Sequence, residues 1–354
     1  MRQARPIGQH FLELLEPGHK LAIYMEGALG EYTGKMGHGL LRYSPNPIVC
    51  VIDSRNAGRN VRDVVDSPRS CPVVASIGEA VALRSDVLVL GIAPPGGLIP
   101  AEWLAALDEA VGLGMSLVNG LHELLAPRYP GIRDGQFVWD VRVEPPGLPV
   151  GTGEARLLSN RRVLTIGTDM AVGKMTAGLE IWKECVLRGV NARFVATGQI
   201  GIVLTGSGIA LDAVRVDYAT GAIEQEVLRA KDADLVIVEG QGALIHPGSS
   251  ANVPLIRGSC PTHFVLCHRA GQEALRRAPW VAIPPLLQFA KLYEDVAEAV
   301  GTFARPVTAA ICLNTAELGD KAAREAVRAT HEETGLPTTD PVRFGVDPVL
   351  EALL

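Results

Sequence analysis

The chain has 354 residues, of which 47% are hydrophobic and 20% charged, and its formal net charge is −6. This length predicts about two domains of roughly 100–200 residues each, and the hydrophobic content excludes a disordered chain. The acidic balance and the absence of a long basic run exclude the usual footprint of nucleic-acid recognition, so we expect no nucleic-acid partner.

The six cysteines are scattered through the chain without a C-x-x-C pair. This spacing argues against a zinc site or a disulfide framework and favours a reducing cytoplasm, where we expect the protein to reside. Residues 1–18 lack the basic region and apolar core of a signal peptide. No apolar stretch approaches the ~18–20 residues of a membrane helix, so we expect no membrane partner.

The first half of the chain alternates between short apolar runs and helical patterns. The apolar runs predict strands at residues 20–25, 48–52, 73–75, 87–91 and 115–119. A helix is predicted over residues 101–113, and residues 121–125 are predicted to begin another. This alternation favours an α/β fold with a parallel sheet covered on both faces, in which ligands bind beyond the carboxyl ends of the strands.

A segment rich in Pro and Gly, residues 131–160, separates the two halves and places a domain boundary near residues 145–160. We therefore divide the chain into domains 1–150 and 151–354. Strands of the second domain are predicted at residues 192–196, 234–240, 263–267 and 307–313. Its helices are predicted at residues 175–188, 222–230 and 322–334.

The most specific motif opens the second domain. A β-branched and apolar run ends at Gly167, a short loop follows, and Gly173-Lys174 begins a predicted helix. Backbone N–H groups at such a helix start converge on an anion, and the lysine adds a positive charge. Met175 stands where Ser or Thr normally ligates magnesium, and the hydroxyl comes one residue later, at Thr176. The alternative is a tight turn with an incidental lysine.

We therefore expect the loop and the first helical residues to bind a phosphate-bearing cofactor. The candidate cofactor-binding residues of this motif are Gly167, Thr168, Asp169, Val172, Gly173, Lys174, Met175 and Thr176.

Residues that end the predicted strand 234–240, or follow it, are candidates for proton transfer and substrate binding. Glu239 stands where nucleotide-binding domains place a carboxylate beside the phosphates, as a magnesium ligand or a base; a turn-capping carboxylate is the alternative. Gln241 lies between two glycines that let the backbone approach a ligand. His246 stands in a loop rich in Gly, Ser and Asn and has a pKa range suited to catalysis, although a structural histidine is the alternative.

Other strand ends offer an amide and several cations. Arg269 follows a predicted strand and could bind a carboxylate through its forked guanidinium. Asn314 follows another and could hydrogen-bond an adenine edge, or form a turn. Lys35, Arg42 and Arg55 offer cations at the mouth of the first sheet. Solvated surface charge is the alternative for all four cations.

The loop from Gly167 to Thr176 resembles that of dethiobiotin synthetase and related ATP-dependent amide-forming enzymes. The segment 239–242 and Asn314 look like the acidic-glycine and base-contacting segments of that group.

A closer resemblance covers nearly the whole chain. Residues 53–58 (Asp-Ser-Arg-Asn-Ala-Gly) and 94–97 (Pro-Pro-Gly-Gly) precede the phosphate loop, and residues 239–247 follow it. This order is similar to a family, long of unknown function, that includes the D-glutamate N-acetyltransferases of bacterial D-amino-acid catabolism (DgcN-like). The resemblance implies a Rossmann-like domain followed by a P-loop NTPase-like domain, each with a parallel sheet.

The resemblance also implies transfer of acetyl from acetyl-CoA to the amino group of D-glutamate or a similar D-amino acid. Glu239 or His246 would act as the base in a ternary complex, and backbone N–H groups would stabilise the oxyanion. Arg269, Lys35 or Arg42 would hold the substrate carboxylates. The methionine after Lys174 fits a cofactor bound without a catalytic metal, so we expect none.

Two other functions are compatible with the same motif. An ATP- and magnesium-dependent ligase would use Lys174 on the transferred phosphate, with Thr176, Asp169 and Glu239 around the metal. A noncatalytic nucleotide-binding module would bind without turnover. In each case we expect a small-molecule ligand and a homo-oligomer.

Overall fold

The computed structural model describes residues 15–16 and 18–354, which form two compact units. The first unit extends to Val143 and includes a later segment, Gln199–Ala213. The second unit comprises Glu144–Gly198 and Val214–Leu354. The sequence patterns did not predict that the chain returns to the first unit after residue 198. A single division at residue 150 stays a prediction.

The sheet of the first unit has only parallel strand pairs among the described residues. Its strands are β1 (Leu21–Tyr24), β2 (Ile48–Ile52), β3 (Val73–Val74), β4 (Val87–Leu90), β5 (Ser116–Asn119) and β6 (Val138–Asp140). They lie in the order β3-β2-β1-β4-β5-β6. Every residue of β1 and β4 is buried, as expected for strands that helices cover on both faces.

The second unit contains another parallel sheet and a small antiparallel hairpin. The sheet strands are β7 (Arg161–Gly167), β8 (Ala192–Val195), β9 (Leu235–Val238), β10 (His263–Arg269), β13 (Val307–Asn314) and β14 (Thr338–Thr339), and the hairpin strands are β11 (Ala274–Leu275) and β12 (Ala278–Ala282). The sheet order is β14-β13-β10-β7-β9-β8, so the strand order reverses between β7 and β10. Such a switch point is where parallel sheets bind ligands.

Helices connect the strands, because parallel strands require crossover connections. The α-helices of the described residues are α1 (Lys35–Tyr43), α2 (Ile77–Ala82), α3 (Leu104–Gly112), α4 (Lys174–Leu187), α5 (Gln199–Thr205), α6 (Val216–Arg229), α7 (Asn252–Ser259), α8 (Leu286–Glu298), α9 (Asp320–Thr334) and α10 (Asp347–Leu353). Within the described residues, no helix combines the length and the apolar character needed to cross a bilayer.

The two-domain α/β fold is confirmed, and each predicted strand is present with its ends shifted by at most two residues. The helix predicted over residues 121–125 is wrong, because side chains bind its backbone N–H groups. Asn119 Oδ1 accepts from the N–H of Leu121 at 3.0 Å, and the Asp140 carboxylate accepts from those of Leu125 and Ala126, each at 2.9 Å. These bonds hold the segment as a turn.

Candidate functional site

The phosphate loop lies between β7 and α4, at the carboxyl end of the central strand of the second sheet. Two of its residues have left-handed backbone conformations, Gly173 at φ +109° and Ala171 at φ +54°. Glycine adopts such angles freely, whereas alanine does so at a cost of roughly 1–2 kcal/mol. Left-handed residues beside a helix start are typical of anion-binding loops, so this loop is a candidate anion site.

Lys174 lies across the end of β7 and is only 7% exposed. Its Nζ donates to the backbone oxygen of Asp169 at 2.8 Å, its only hydrogen bond among the described residues. A Cβ on Gly167 would lie 2.9 Å from this Nζ and 2.8 Å from the Val172 side chain, so a larger residue there would displace both side chains. Burial lowers the pKa of Lys174 to about 8. The loop therefore holds a desolvated positive charge that an anionic ligand would stabilise.

Asp169 anchors the loop to the β11–β12 hairpin, through Gln272 just before β11 and Arg276 in the turn between the two strands. Its carboxylate accepts from the backbone N–H of Met170 at 2.6 Å, from Nε2 of Gln272 at 2.7 Å and from the backbone N–H of Arg276 at 2.9 Å. The side chain is buried. These donors engage both carboxylate oxygens, so Asp169 acts here as an internal hydrogen-bond acceptor that shapes the loop.

Thr168 is buried beneath the loop. Its Oγ1 lies 2.9 Å from Nδ1 of His268, and its backbone N–H donates to the oxygen of Cys267 at 3.1 Å. Burial, together with the adjacent Arg269 charge, lowers the pKa of His268 to about 4. His268 is therefore neutral near pH 7 and fixes the threonine rather than contributing a charge.

The remaining predicted cofactor-binding residues of this motif lie on either side of Gly173 and Lys174 in the sequence. Val172 is buried, whereas Met175 and Thr176 lie half-buried in the first turn of α4.

Glu239 follows β9 and is 3% exposed. Its Oε2 accepts from the backbone N–H groups of Thr197 and Gly198, at 2.9 and 3.1 Å, and Nε2 of Gln241 approaches Oε1 at 3.3 Å. The hydroxyl of Thr197 also donates to the backbone oxygen of Glu239, at 2.8 Å. The loop after β8 thus orients the carboxylate through Oε2, and Gln241 donates a longer hydrogen bond to Oε1.

Gly240 brings the end of β9 against β7. Its N–H donates to Oγ1 of Thr165 at 2.9 Å, and a Cβ at this position would lie 1.6 Å from the Thr165 backbone oxygen. The contact lets Glu239 and Lys174 lie within Coulombic range of each other. The glycine is therefore required by close backbone approach.

A buried tyrosine that the sequence analysis did not single out fixes the loop that carries His246. The Tyr293 hydroxyl donates to Oδ1 of Asn252 at 2.7 Å and accepts from the N–H of Leu244 at 3.0 Å. Nδ2 of Asn252 then donates to Oγ of Ser249 at 2.6 Å. Because Tyr293 lies on an apolar face of α8, its sequence position predicts an ordinary core residue. Its role in fixing this loop is evident only from contacts with residues distant in the sequence.

The hydrogen bonds of His246 determine its tautomer. The backbone N–H of Gly248 donates to Nδ1 of His246 at 3.0 Å, so Nδ1 must be an acceptor. In the neutral ring the proton therefore resides on Nε2. This Nε2 is buried and has no hydrogen-bond partner among the described residues. His246 is thus arranged as a hydrogen-bond donor.

The strand ends of β10 and β13 place Arg269 beside Asn314 in register. Arg269 donates to Oε1 of Glu317 at 2.8 Å and to the backbone oxygen of Ala171, in the phosphate loop, at 3.2 Å. Oδ1 of Asn314 accepts from the N–H of Ala316 at 3.1 Å, which forms a turn. The arginine therefore supports the loop, and its contact with a substrate stays a prediction, as does the adenine contact of Asn314.

Three predicted substrate-binding cations belong to the first unit. Lys35 is exposed at the start of α1, and Arg42 on the same helix lies 3.4 Å from the Asp66 carboxylate. Arg55 is exposed after β2, with its guanidinium beside Gly27. The phosphate loop, Glu239, Gln241, Arg269 and Asn314 are brought together in the second unit instead.

Two family models match the chain. A domain of unknown function, the DUF1611_C P-loop domain, matches residues 149–350, and the DUF1611_N Rossmann-like domain matches residues 54–144. A protein named D-glutamate N-acetyltransferase, from Tritonibacter scottomollicae, is 34% identical over 283 residues, covering 78% of this chain and 84% of that protein. One of the same name, from a Pseudoalteromonas species, is 32% identical over 281 residues with the same coverage.

A solved structure is similar over nearly the full length. The crystal structure of a DUF1611 family protein from Anabaena variabilis has a TM-score of 0.92 and 50% identity. The match covers 95% of this chain and 99% of that one, so it includes both the Rossmann-like and the P-loop parts.

Proposed function

The chain belongs to the DUF1611 family, and from this membership we propose that it is an amino-acid N-acetyltransferase, which transfers acetyl from acetyl-CoA to the amino group of D-glutamate or a similar D-amino acid. The names of its two curated relatives support the reaction, and each of them matches 78% of the chain.

The observation that best supports a coenzyme A ligand is the buried ammonium of Lys174, which lies over Gly167 in the phosphate loop. Coenzyme A has a 3′-phosphorylated ADP portion, and a desolvated ammonium beside a strained loop is suited to such phosphates. Asp169 and Glu239 already accept hydrogen bonds from protein donors, and Met175 has no hydroxyl. This donor set is better suited to holding phosphate through N–H groups and Lys174 than to assembling a carboxylate-bound metal.

Glu239 is the proposed base. The substrate ammonium must lose a proton before its nitrogen can attack the thioester carbon, and a buried, oriented carboxylate can accept that proton. Oε2 accepts two backbone N–H bonds and Oε1 the longer one from Gln241, so the whole carboxylate is held in a fixed orientation. The attack forms the C–N bond and the C–S bond then breaks. The nitrogen loses its second proton as the amide forms, and the departing thiolate takes up one proton, so that coenzyme A leaves as the thiol.

His246 is the proposed donor to the oxyanion of the tetrahedral intermediate. To act as a base through Nε2, its ring would need the proton on Nδ1, where it would oppose the N–H of Gly248. The Nε2–H tautomer instead supplies a hydrogen bond, and one such donor contributes about 10²–10³ in rate in acyl transfer. His246 thereby has a different role from that of Glu239.

A free-thiol release assay tests the proposal. Acetyl-CoA would be incubated with the protein and a panel of D- and L-amino acids, with and without EDTA. Thiol release that depends on D-glutamate, or on a similar D-amino acid, and is unaffected by EDTA is expected. No release with any amine, together with magnesium-dependent ATP hydrolysis, would favour the ligase; nucleotide binding without either turnover would favour a noncatalytic module.

A further inference from the structure

A cationic cavity lies in the second unit, at the opposite ends of the strands from the phosphate loop. It has a volume of about 50 Å³ and is lined by residues that include Arg156, Arg162, Arg257, Cys260 and Phe303. Arg162 is the second residue of β7, the strand whose other end leads into the phosphate loop. The cavity is therefore separated from the proposed active site by the length of that strand.

The three arginines bind only neutral acceptors among the described residues. Arg162 is 4% exposed and donates hydrogen bonds through Nε and Nη1. Arg257 donates through both of its Nη atoms, and Arg156 donates through Nη1. The accepting backbone oxygens belong to Ser259, Cys260, Leu158 and Asn160 for Arg162, to Ala297 and Val296 for Arg257, and to Gly153 for Arg156. None of the three forms an ion pair with a described carboxylate.

The three charges converge on one place. All three arginines line the same cavity, and the Arg257 guanidinium lies 4.6 Å from the centre of the Phe303 ring. The three guanidinium groups and one buried carboxylate, that of Glu224, act electrostatically on the Cys260 thiol. Backbone oxygens satisfy hydrogen bonds but do not neutralise charge, and the one nearby carboxylate leaves an excess of positive charge, which is costly for a group as buried as Arg162. Nη2 of Arg162 makes no hydrogen bond to a described residue, so this guanidinium retains unused donors.

We propose that this cavity is a binding site for a small oxyanion, a phosphate or carboxylate group that pairs with Arg156, Arg257 and Arg162. Its volume suits a group of that size rather than a whole nucleotide. A bound anion would neutralise part of the charge and accept the unused guanidinium N–H groups. β7 begins at the cavity and α7 ends there. A ligand that binds only the folded protein would therefore stabilise the folded state of these elements.

Calorimetric titration at constant ionic strength tests the site, with inorganic phosphate in one arm and acetate, a carboxylate that lacks the amino group of the proposed substrate, in the other. The Lys174→Met protein serves as the parent, because it lacks the lysine through which the phosphate loop would compete for phosphate. Arg156 is exposed, so Arg156→Gln is expected to fold, and Arg257→Gln provides a second variant. The matched control is Arg161→Gln, an exposed arginine at the start of the same strand.

Saturable binding of one equivalent is expected, with its Kd raised about tenfold by Arg156→Gln and by Arg257→Gln and left nearly unchanged by Arg161→Gln. Binding in one arm alone would identify the source of the oxyanion as phosphate or carboxylate. No saturable binding in either arm would overturn the proposal, and so would equal affinity in all three arginine variants. Neither result depends on acetyl transfer.

Discussion

Lys174 holds a positive charge in a place that is poorly solvated, so binding and stability make opposite demands on this residue. Burial disfavours the ammonium in the ligand-free protein, as its lowered pKa indicates, whereas an anionic ligand needs that ammonium. Residues with such conflicting demands are typical of functional sites. Two other loop residues fit this pattern: Gly167 leaves room for the lysine side chain, and Ala171 has a strained backbone.

Substituting Lys174→Met should stabilise the ligand-free protein by about 1–3 kcal/mol, because it removes a desolvated charge while preserving the apolar stem. Thermal unfolding should therefore give a higher Tm for the variant. Because the folded-state pKa of about 8 lies below the ordinary value of 10.5, the unfolded chain binds the extra proton between these pH values. The gain should be largest below pH 8 and shrink towards pH 10.5.

The control for this substitution is Lys183→Met, an exposed lysine on the same helix. It should leave the Tm nearly unchanged. A lower Tm for Lys174→Met than for wild type would show that the lysine contributes net stability, contrary to this expectation.

The affinity for coenzyme A should decrease above about pH 8, since Lys174 then loses the proton that pairs with phosphate. Loss of one linked proton gives a decrease of about tenfold per pH unit. Titrations of the wild-type protein between pH 7 and 9.5 would measure it, against Lys174→Met as a variant with weak and nearly pH-independent binding. Constant wild-type affinity over this range would exclude Lys174 as the titrating contact.

Glu239→Gln should reduce kcat by about 10²–10⁴, the usual contribution of a positioned base, while changing the Kd of coenzyme A far less. Steady-state kinetics and direct binding measurements would separate the two effects. Glu224→Gln is the matched control, because Glu224 is also buried and accepts backbone N–H bonds, from Thr152 and Ala155. Equal losses of turnover and binding in Glu239→Gln would make the residue structural.

At the scale of secondary-structure elements, the site depends on how closely β9 approaches β7. Gly240 donates to Thr165 across these strands, and the two residues are 75 positions apart in the sequence. This pairing orients the end of β9, and Glu239 is then held by the loop after β8. The geometry of the carboxylate is thus a property of three neighbouring strands.

Gly240→Ala should destabilise the protein by about 1–3 kcal/mol, because its Cβ would overlap the Thr165 backbone oxygen and force β9 away from β7. Activity should fall as well, since Glu239 moves with the strand end. Chemical denaturation measures the first effect. Gly319→Ala is the control, as no atom lies within 4 Å of the added Cβ. A Gly240→Ala protein as stable as the control would contradict the close approach.

Apolar runs predicted the strands well, because a strand buried on both faces must be apolar almost throughout, as the residues of β9 are. The loop glycines and Lys174 were also predicted, since their spacing is local. Tyr293, Gln272 and Arg276 were not, because their roles arise from contacts with residues 40 or more positions away. A single sequence gives no signal for such pairs.

At the scale of the whole molecule, the α5 segment shows the same limitation. Its sequence, Gln-Ile-Gly-Ile-Val-Leu-Thr, follows β8 and resembles an ordinary apolar stretch of the second domain. In the structure it is part of the first unit, together with α1. Which unit an apolar helix joins depends on a matching apolar surface far away in the sequence, and composition does not reveal that match.

The proposed reaction is inferred from the family to which the chain belongs and not from the fold of either unit. Rossmann-like and P-loop domains each serve many functions, so neither identifies the substrate. The similarity to relatives named D-glutamate N-acetyltransferase supports acetyl transfer, and the loop chemistry supports coenzyme A as the donor. In the proposed reaction the phosphate loop binds this donor, and its acetyl group is transferred to an amine.

The most direct test is to identify the product by mass spectrometry after incubation with isotopically labelled acetyl-CoA and D-glutamate, in the absence of ATP. Labelled acetyl is expected on the amino nitrogen of D-glutamate with the wild-type protein and is expected to be nearly absent with Lys174→Met. No labelled product from D-glutamate or any other amino acid, together with magnesium-dependent ATP hydrolysis, would exclude acetyl transfer and favour the ligase.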